Sequence, residues 1–217
     1  TRRSQIMAFQ LGGNHYAVVR KNHMTQHGPG ENGTNSAFVM TLRGSGSQAS
    51  YMAFQDNELD HTIASPAFKF YSQYKLLLED NVFHDIGNPP AGEGECLALK
   101  DSVRAFTVRK NVCYAMGSQV KTIAGNMAAD EAPTSGEILR NVVRAGSLDA
   151  VDLNQNGLAG MIFLDRNTFV GRVRVRYVDA ADGPFTFTKN VIVNDQPGSP
   201  AGSHIFHEEV SDPTRIV

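Results

Sequence analysis

The chain of 217 residues has few of the features that mark a common class of protein. Two cysteines are too few for a disulfide scaffold, and we expect Cys96 and Cys113 to be buried free thiols in preference to a bridge. No apolar run approaches the roughly 18 residues of a transmembrane helix, so we expect a soluble protein without membrane insertion. Charged residues make up 19% of the chain and the net charge is −2, which argues against a globally basic nucleic-acid binder.

The motifs of familiar enzymes and cofactor sites are also missing. The sequence contains no G-x-S-x-G, phosphate-binding loop, dinucleotide fingerprint or H-E-x-x-H. Imidazoles and carboxylates meet at Asp60-His61, at His84-Asp85 and over 204–209, but each of these groups is isolated in the sequence. We therefore expect neither a catalytic site nor a bound cofactor.

Short apolar segments separated by turn-forming residues dominate the chain. Such segments, bounded by Gly, Pro, Asn and Asp and without an evident internal repeat, are typical of β-strands. They predict an all-β fold, an antiparallel β-sandwich of the jelly-roll kind, as a single domain over 1–195. Residues 1–45 would form N-terminal strands and an exposed loop. One short helix is predicted over 135–145, where Thr134 and Glu137 form a capping box.

An alternating segment nearer the C-terminal end predicts a β-hairpin. Arginines and apolar residues alternate over 171–177, so the arginines share one face of the strand and the apolar residues share the other. A turn rich in Asp and Gly follows, and the chain then returns through 185–193. Pairing Val175 with Phe187 places apolar residues of both strands on one face, which sets the predicted register.

The basic face of this hairpin is a candidate binding site for nucleic acid or another polyanion. Side chains on one face of a strand repeat at about 6.8 Å, close to the phosphate spacing of an extended nucleic-acid strand. Two alternatives stay open, namely a solvated sheet face and ion pairs with carboxylates of a neighbouring loop or subunit. The candidate residues are Arg172, Arg174, Arg176 and Lys189.

One segment begins like a calcium-binding loop. It reads D-x-N-x-N-G, with a further aspartate nearby, but the twelfth position of an EF-hand loop is occupied by Phe163 instead of a carboxylate. An Asn-Gly turn before a strand explains the pattern better, so no metal site is expected. The weak metal candidates are Asp149, Asp152, Asn154 and Asn156.

Residues 196–217 are rich in Pro and Gly, which favours an arm outside the domain. Apolar pairs within this arm could dock on a neighbouring subunit through apolar burial and added strand pairing. The candidate residues of this subunit interface are Ile205, Phe206, Ile216 and Val217.

Several segments resemble strands of small-virus coat proteins. Residues 51–54 (Tyr-Met-Ala-Phe) and 67–79, with an aromatic-rich start and a K-φ-φ-φ-E end (φ apolar), are similar to the second and third strands of circovirus-like jelly rolls. Residues 160–165 and the arginine hairpin resemble the end of such a jelly roll. Those coats begin with an arginine-rich arm, whereas here only Arg2 and Arg3 precede an apolar strand, so genome contact would fall to the sheet arginines.

These observations favour a structural, self-assembling subunit without catalytic activity. A viral coat protein or a tube or filament subunit would form a large homo-oligomer in a virion or an extracellular assembly, with packaged nucleic acid as a further partner. The alternative is a secreted β-sandwich module that binds a glycan or another ligand through its loops, with or without calcium. An enzyme with a loop-built site is the third interpretation.

Overall fold

A computed structural model of the chain describes residues 9–11, 16–25, 39–41, 49–60, 67–71, 73–86, 95–100, 103–115, 120–123, 133–153, 159–178, 180–193, 205–208, 210 and 212–217. Strands dominate these residues, and a 3₁₀ turn at Pro213–Arg215 is the only helical element among them. None of the described helices is long and apolar enough to cross a membrane.

In chain order the strands are β1 (Phe9–Leu11), β2 (Ala17–Arg20), β3 (His23–Thr25), β4 (Val39–Thr41), β5 (Ala49–Gln55), β6 (Glu58–Asp60), β7 (Phe68–Tyr71), β8 (Gln73–Glu79), β9 (Val82–Ile86), β10 (Leu97–Lys100), β11 (Arg104–Arg109), β12 (Val112–Ala115), β13 (Val120–Ile123), β14 (Thr134–Leu139), β15 (Val142–Leu153), β16 (Ala159–Asp165), β17 (Thr168–Arg176), β18 (Phe185–Thr188), β19 (Val191–Val193) and β20 (Ile205–Glu208).

These strands form three parallel stacks, which we name face 1, face 2 and face 3. Face 1 contains β2, β5, β8, β11, β14, β16 and β18. Face 2 contains β3, β6, β9, β12, the first parts of β15 and β17, and β19. Face 3 contains β1, β4, β7, β10, β13, the second parts of β15 and β17, and β20. Because β15 and β17 run through both, faces 2 and 3 belong to one sheet.

The chain therefore winds as a parallel β-solenoid. It passes through face 3, face 1 and face 2 in turn. Each interior strand pairs in parallel with strands of the coils before and after it, and each terminal strand pairs with one neighbouring coil. Parallel strands need a long crossover, which is commonly a helix. Here the rest of the coil is the crossover, so the sheets are parallel without an α-helix among the described residues. The expected antiparallel jelly-roll sandwich is wrong.

The corner from face 1 to face 2 is the same two-residue turn in each described coil. Its first residue is left-handed, with φ between 53° and 57°, and its second is asparagine. Each asparagine before the last described one, Asn190, donates its backbone N–H and its side-chain amide to Oδ1 of the asparagine in the next coil, at 2.9 to 3.1 Å. This asparagine ladder satisfies polar groups at the corner and keeps adjacent coils in register. Its rungs are Asn22, Asn57, Asn81, Asn111, Asn141, Asn167 and Asn190.

The corner from face 2 to face 3 differs between coils. The strands β15 and β17 pass through it without interruption, and Gly171 of β17 has φ 122°. A Cβ at this glycine would lie 2.8 Å from Cβ of Ala145, so a larger residue does not fit. In earlier coils, a disulfide joins Cys96, just before β10, to Cys113 of β12. The expectation of free thiols is wrong.

Apolar side chains from all three faces fill the interior of the solenoid. Phe54 of face 1 lies 5.1 Å from Phe68 and 5.2 Å from Phe70 of face 3, measured between ring centroids. Phe83 of face 2 meets the Phe68 ring edge-on at 5.2 Å. These tilted and edge-on contacts add aromatic attraction to the burial of apolar surface, so the coils share one core.

The segment predicted as a helix consists of two strands. β14 and β15 belong to faces 1 and 2, and the turn Arg140-Asn141 separates them. Ile138 and Val143 point inward from the two strands, at 0% and 2% exposure. The apolar spacing that predicted one helical stripe thus comes from two inward-facing strand positions on either side of a corner.

The predicted arginine hairpin is also wrong, although its alternation is confirmed. Val173 and Val175 of β17 are fully buried, while Arg172, Arg174 and Arg176, which alternate with them, point outward. β17 and β18 do not pair, because β18 lies beside β16 on face 1. Val175 pairs with Leu153, and Phe187 pairs with Leu164.

The described part of the C-terminal segment adds to the solenoid. β20 pairs with β17 on face 3, and Val217 exchanges backbone hydrogen bonds of 2.8 and 2.7 Å with β18. Ile205 and Ile216 pack against the hydrophobic core. The chain itself holds these residues in place, and their role in a subunit interface stays a prediction.

The segments that resemble coat-protein strands lie in different stacks. Residues 51–54 belong to β5 on face 1, and the segment 67–79 covers β7 on face 3 and β8 on face 1. β5 and β8 are parallel neighbours. A jelly roll would place the second and third strands in antiparallel sheets, so the fold implied by the resemblance is absent.

Candidate functional site

The three arginines of β17 lie on the outer side of face 3 and contact aspartates of β15. Arg172 hydrogen-bonds Asp149, and Arg174 lies 3.7 Å from the same carboxylate. Nε of Arg176 donates to Asp152 at 3.0 Å. These are the contacts of the ion-pair alternative, with the carboxylates supplied by a neighbouring strand of the same chain. The arginine side chains are only 12 to 20% exposed, and polyanion binding stays a prediction.

The other predicted site residues do not join these arginines. Lys189 is the exposed first residue of a turn between faces 1 and 2. Asp149 and Asp152 already contact arginines, and burial raises the pKa of Asp152. Asn154 and Asn156 lie outside the described residues. A calcium ion at these aspartates would have to replace the arginine contacts.

An exposed group of aromatic and cationic side chains lies on face 1, in its N-terminal coils. Tyr16 is 78% exposed, Tyr51 40% and Tyr74 37%. The rings of Tyr16 and Tyr51 stack with centroids 4.9 Å apart, and Tyr74 meets Tyr51 edge-on at 6.3 Å. Together with Lys75 and Arg104, these residues form what we call the tyrosine strip.

A repeated backbone feature aligns the strip. Tyr51, Lys75 and Ala105 have φ of 61°, 58° and 52°, and the strand registers skip these residues. Left-handed residues in successive coils therefore stack as bulges, and bulges redirect side chains. Nζ of Lys75 donates to the Tyr51 hydroxyl at 3.1 Å and lies 4.6 Å from its ring centroid. That hydrogen bond raises the pKa of Lys75.

The tyrosine strip presents aromatic rings and cations at the surface, outside the hydrophobic core. Arg104 lies 5.5 Å from the Tyr74 ring centroid, so each cation is already oriented against an aromatic ring. Tyrosine and arginine are enriched at interfaces because they combine large contact area with directional hydrogen bonds. The strip can therefore receive a ligand that presents apolar C–H surface, hydroxyl groups and negative charge.

A carboxylate network borders the strip on the same face. Glu79 of β8 accepts from Gln55 at 3.0 Å and contacts Nε of Arg109 at 2.8 Å and Nζ of Lys110 at 3.2 Å. The ion-pair contact with Arg109, more than the other partners, lowers the pKa of Glu79 to about 2. This carboxylate is therefore ionised and neutralised by its neighbours at physiological pH.

A second polar group lies on the outer side of face 2, and we call it the histidine cluster. Nε2 of His23 is 2.7 Å from Asp60, and Nε2 of His84 is 3.1 Å from Glu58. Nδ1 of His84 is 2.9 Å from Asp85. The contact with Asp60 raises the pKa of His23, and the contacts with Asp85 and then Glu58 raise that of His84. The solenoid thus unites groups that are isolated in the sequence.

Sequence reasoning missed both groups because their members come from different coils. The signal that could have found them is the recurrent pair of a charged residue followed by asparagine, which marks the start of face 2 in each coil. Aligning the chain on those pairs would have shown that His23, Glu58 and Asp60 each follow the asparagine of their own coil by one to three positions. Of the other members of the isolated groups, His207 and Glu208 belong to β20, and His61, His204 and Glu209 lie outside the described residues.

No protein-family model, curated protein or solved structure matches the chain. Nothing in these comparisons links it to the coat proteins of circovirus-like viruses. Functional assignment therefore depends on the geometry of the described surfaces.

Proposed function

We propose that the protein is a non-catalytic binding module that holds an extended acidic glycan along the tyrosine strip. The observation that carries this proposal is the alignment of three exposed tyrosines with two cations on a parallel sheet. The sheet fixes the spacing between them, because coils stack at about 4.8 Å. A prearranged surface loses little conformational entropy when it binds.

The chemistry of the strip suits a glycan with carboxylate or sulfate groups. Sugar rings present C–H surfaces to aromatic side chains and hydroxyls to phenolic oxygens. The ammonium of Lys75 uses one donor on Tyr51, and its other donors suit an anionic group of the ligand. Tyr16 is the most exposed ring, and its face away from Tyr51 extends the stack toward a ligand.

Two features favour a glycan over nucleic acid. The exposed carboxylate of Glu137 lies further along face 1, and the net charge of −2 gives no general attraction for phosphates. The disulfide between Cys96 and Cys113 is typical of an oxidising compartment, where acidic glycans are the abundant polyanions. This proposal follows the binding-module alternative that the sequence suggested. The binding site, however, is the surface of a parallel sheet instead of a set of loops.

The proposal is tested by biolayer interferometry on hyaluronan and alginate oligosaccharides, with neutral dextran and single-stranded dT20 as further probes. We expect acidic oligosaccharides to bind and the double variant Tyr16→Ala, Tyr51→Ala to lose at least about tenfold in affinity, since stacked aromatics dominate such contacts. Lys75→Gln should reduce both affinity and its salt dependence.

Tyr114→Ala is the matched control, because Tyr114 is 47% exposed but lies on face 2. Affinity equal to that of the unaltered protein is expected for this variant. Equal losses in the strip and control variants would overturn the proposal. Binding of dT20 without binding of either acidic oligosaccharide would replace the glycan with nucleic acid.

Self-assembly is a second candidate, and one observation favours it. In the described part of the chain, Oδ1 of Asn22 accepts no hydrogen bond and the backbone N–H of Asn190 donates none. Among the described residues, the ladder thus ends in an acceptor on one side and a donor on the other, as head-to-tail stacking of copies would need. Native mass measurement should then show oligomers that Asn22→Ala weakens. A monomer at high micromolar concentration would exclude this candidate.

A further inference from the structure

The histidine cluster occupies a regular grid on face 2. His23 and Glu58 are register partners across β3 and β6, and Asp60 and His84 are partners across β6 and β9. Residues two apart on a strand point to the same side, so all four side chains project outward together. One ligand atom each from His23, Glu58 and Asp60 lie within 4.8 Å of one another.

Asp85 orients the ring of His84 toward this grid. Neighbouring strand residues normally point to opposite sides, but Asp85 has φ 54° and its carboxylate reaches Nδ1 of His84 at 2.9 Å. In the neutral tautomer that donates Nδ1–H to Asp85, the lone pair of Nε2 faces Glu58. A carboxylate that fixes the tautomer in this way is the usual companion of a metal-binding histidine.

The cluster contains more carboxylates than imidazoles. Glu58, Asp60 and Asp85 contact the two histidine rings at 2.7 to 3.1 Å. An imidazole lone pair at 3.1 Å from a carboxylate oxygen is repulsive unless a proton or a metal ion lies between them. Tyr114 is the register partner of His84 on the next strand of face 2, and Arg144 is the register partner of Tyr114 on the strand after that. Arg144 is therefore two strands away from His84.

The donor set selects the class of ion. Two imidazole nitrogens with two carboxylate oxygens suit Zn²⁺ and related transition metals, whereas Ca²⁺ and Mg²⁺ prefer oxygen alone. Tetrahedral zinc places its ligand atoms about 3.3 to 3.5 Å apart. The 2.7 and 3.1 Å contacts are shorter than this range, so the ligand atoms must move apart to admit the ion. His23 and Glu58 are more than half exposed, and their side chains can adjust without moving the sheet.

We propose that His23, Glu58, Asp60 and His84 form a binding site for Zn²⁺ or a similar transition-metal ion, with Asp85 as the positioning residue for His84. The ion joins three successive coils of face 2 at their outer surface. This site lies on a different face from the tyrosine strip and does not depend on glycan binding.

Isothermal titration of the EDTA-treated, dialysed full chain with ZnCl₂ tests the proposal. We expect one ion per chain at this site, a rise in the melting temperature with zinc, and Co²⁺ absorption bands of a four-coordinate ion. The double variant His23→Gln, His84→Gln should lose this binding. Asp85→Asn should weaken it at least about tenfold while leaving the stoichiometry intact, as positioning residues of metal ligands do.

Asp56→Asn is the matched control, because Asp56 is an exposed carboxylate of the same coil and asparagine tolerates its φ of 55°. This variant should bind zinc like the unaltered protein. Melting temperatures in EDTA establish that all variants are folded. Zinc affinity unchanged in the double histidine variant would assign the ion to other residues and overturn the proposal. Absence of binding at 100 µM zinc, or equal affinity for CaCl₂, would overturn it as well.

Discussion

The two corners that flank face 2 are built in opposite ways. The corner from face 1 uses one left-handed residue and one asparagine in each described coil. The corner to face 3 ranges from uninterrupted strands in β15 and β17 to the long separation between β3 and β4. A corner whose polar groups are joined from coil to coil has a fixed length. At the corner to face 3 no such ladder occurs among the described residues, and the separation between strands varies from coil to coil. The solenoid is therefore regular along one edge and variable along the next.

The largest expected effect is at an interior rung of the ladder. Asn111→Ala removes the oxygen that accepts two hydrogen bonds from Asn81. It also removes the side-chain amide that donates to Oδ1 of Asn141 and to the carbonyl of Leu78. Because unsatisfied buried groups cost about 1–3 kcal/mol each, we expect a loss of about 4 kcal/mol in the free energy of unfolding. Urea denaturation measures this change.

Two control variants should lose much less stability than Asn111→Ala. Asn22→Ala, at the first described rung, should cost less than about 1 kcal/mol because its side-chain hydrogen bonds are partly exposed. A Gly-Ser pair inserted between β12 and β13, at the variable corner, should cost less than about 1 kcal/mol because loop closure depends weakly on length. If the insertion were as damaging as Asn111→Ala, the proposed difference between the corners would be wrong.

The disulfide is expected to have the next largest effect. Its cysteines are 17 positions apart, and a bridge closing a loop of this size stabilises a protein by about 3 kcal/mol. Cys96→Ala with Cys113→Ala should lower the unfolding free energy by about that amount under oxidising conditions. Under reducing conditions the variant and the unaltered protein should converge, and a difference that persists there would point to packing instead.

The left-handed position of the regular corner gives a smaller effect. Arg140 has φ 55° and is exposed, so Arg140→Val should destabilise the protein by about 1–2 kcal/mol because branched residues are strained there. Arg144→Val is the control, since it places the same residue at an exposed strand position where valine is favoured. Thermal melting should separate the two variants, and equal melting temperatures would contradict the role given to φ.

The smallest expected effect is the pH dependence carried by Glu79, which contacts Lys110 at the next regular corner. Its folded pKa of about 2 lies below the ordinary value of 4.5, so it stabilises the fold above pH 4.5 and loses that contribution as pH falls toward 2. We expect about 1 kcal/mol, because the basic partners are nearly half exposed. Glu79→Gln should flatten unfolding free energy across this window, and an unchanged slope would refute the assignment.

Composition and alternation were enough to predict strands, but not their arrangement. Val173 and Val175 are inside and Arg174 is outside, as the alternation indicates. The same period occurs in parallel and antiparallel sheets, so it could not show that Val175 pairs with Leu153 instead of Phe187. Pairing between coils depends on asparagines 23 to 35 residues apart, beyond the range of local patterns.

The candidate surfaces were less accessible to sequence reasoning than the strands. Tyr16 and Tyr51 have no local relationship, and they stack only because β2 and β5 are neighbours on face 1. His84-Asp85 was visible as a pair, whereas its contact with Glu58 requires the register of β6 and β9. The arginines of β17 drew attention as a basic face, and their aspartate partners became apparent only with β15 beside them.

Pairing between successive coils makes the solenoid nearly one-dimensional in its energetics. β8, for example, pairs only with β5 and β11 among the described strands, so each coil is stabilised chiefly by its two neighbours. Backbone amides near the middle should consequently exchange with deuterium more slowly than those of the outermost coils, where opening breaks one interface instead of two. Whole coils are then natural units of gain and loss, because adding one repeats an interface that the chain already contains.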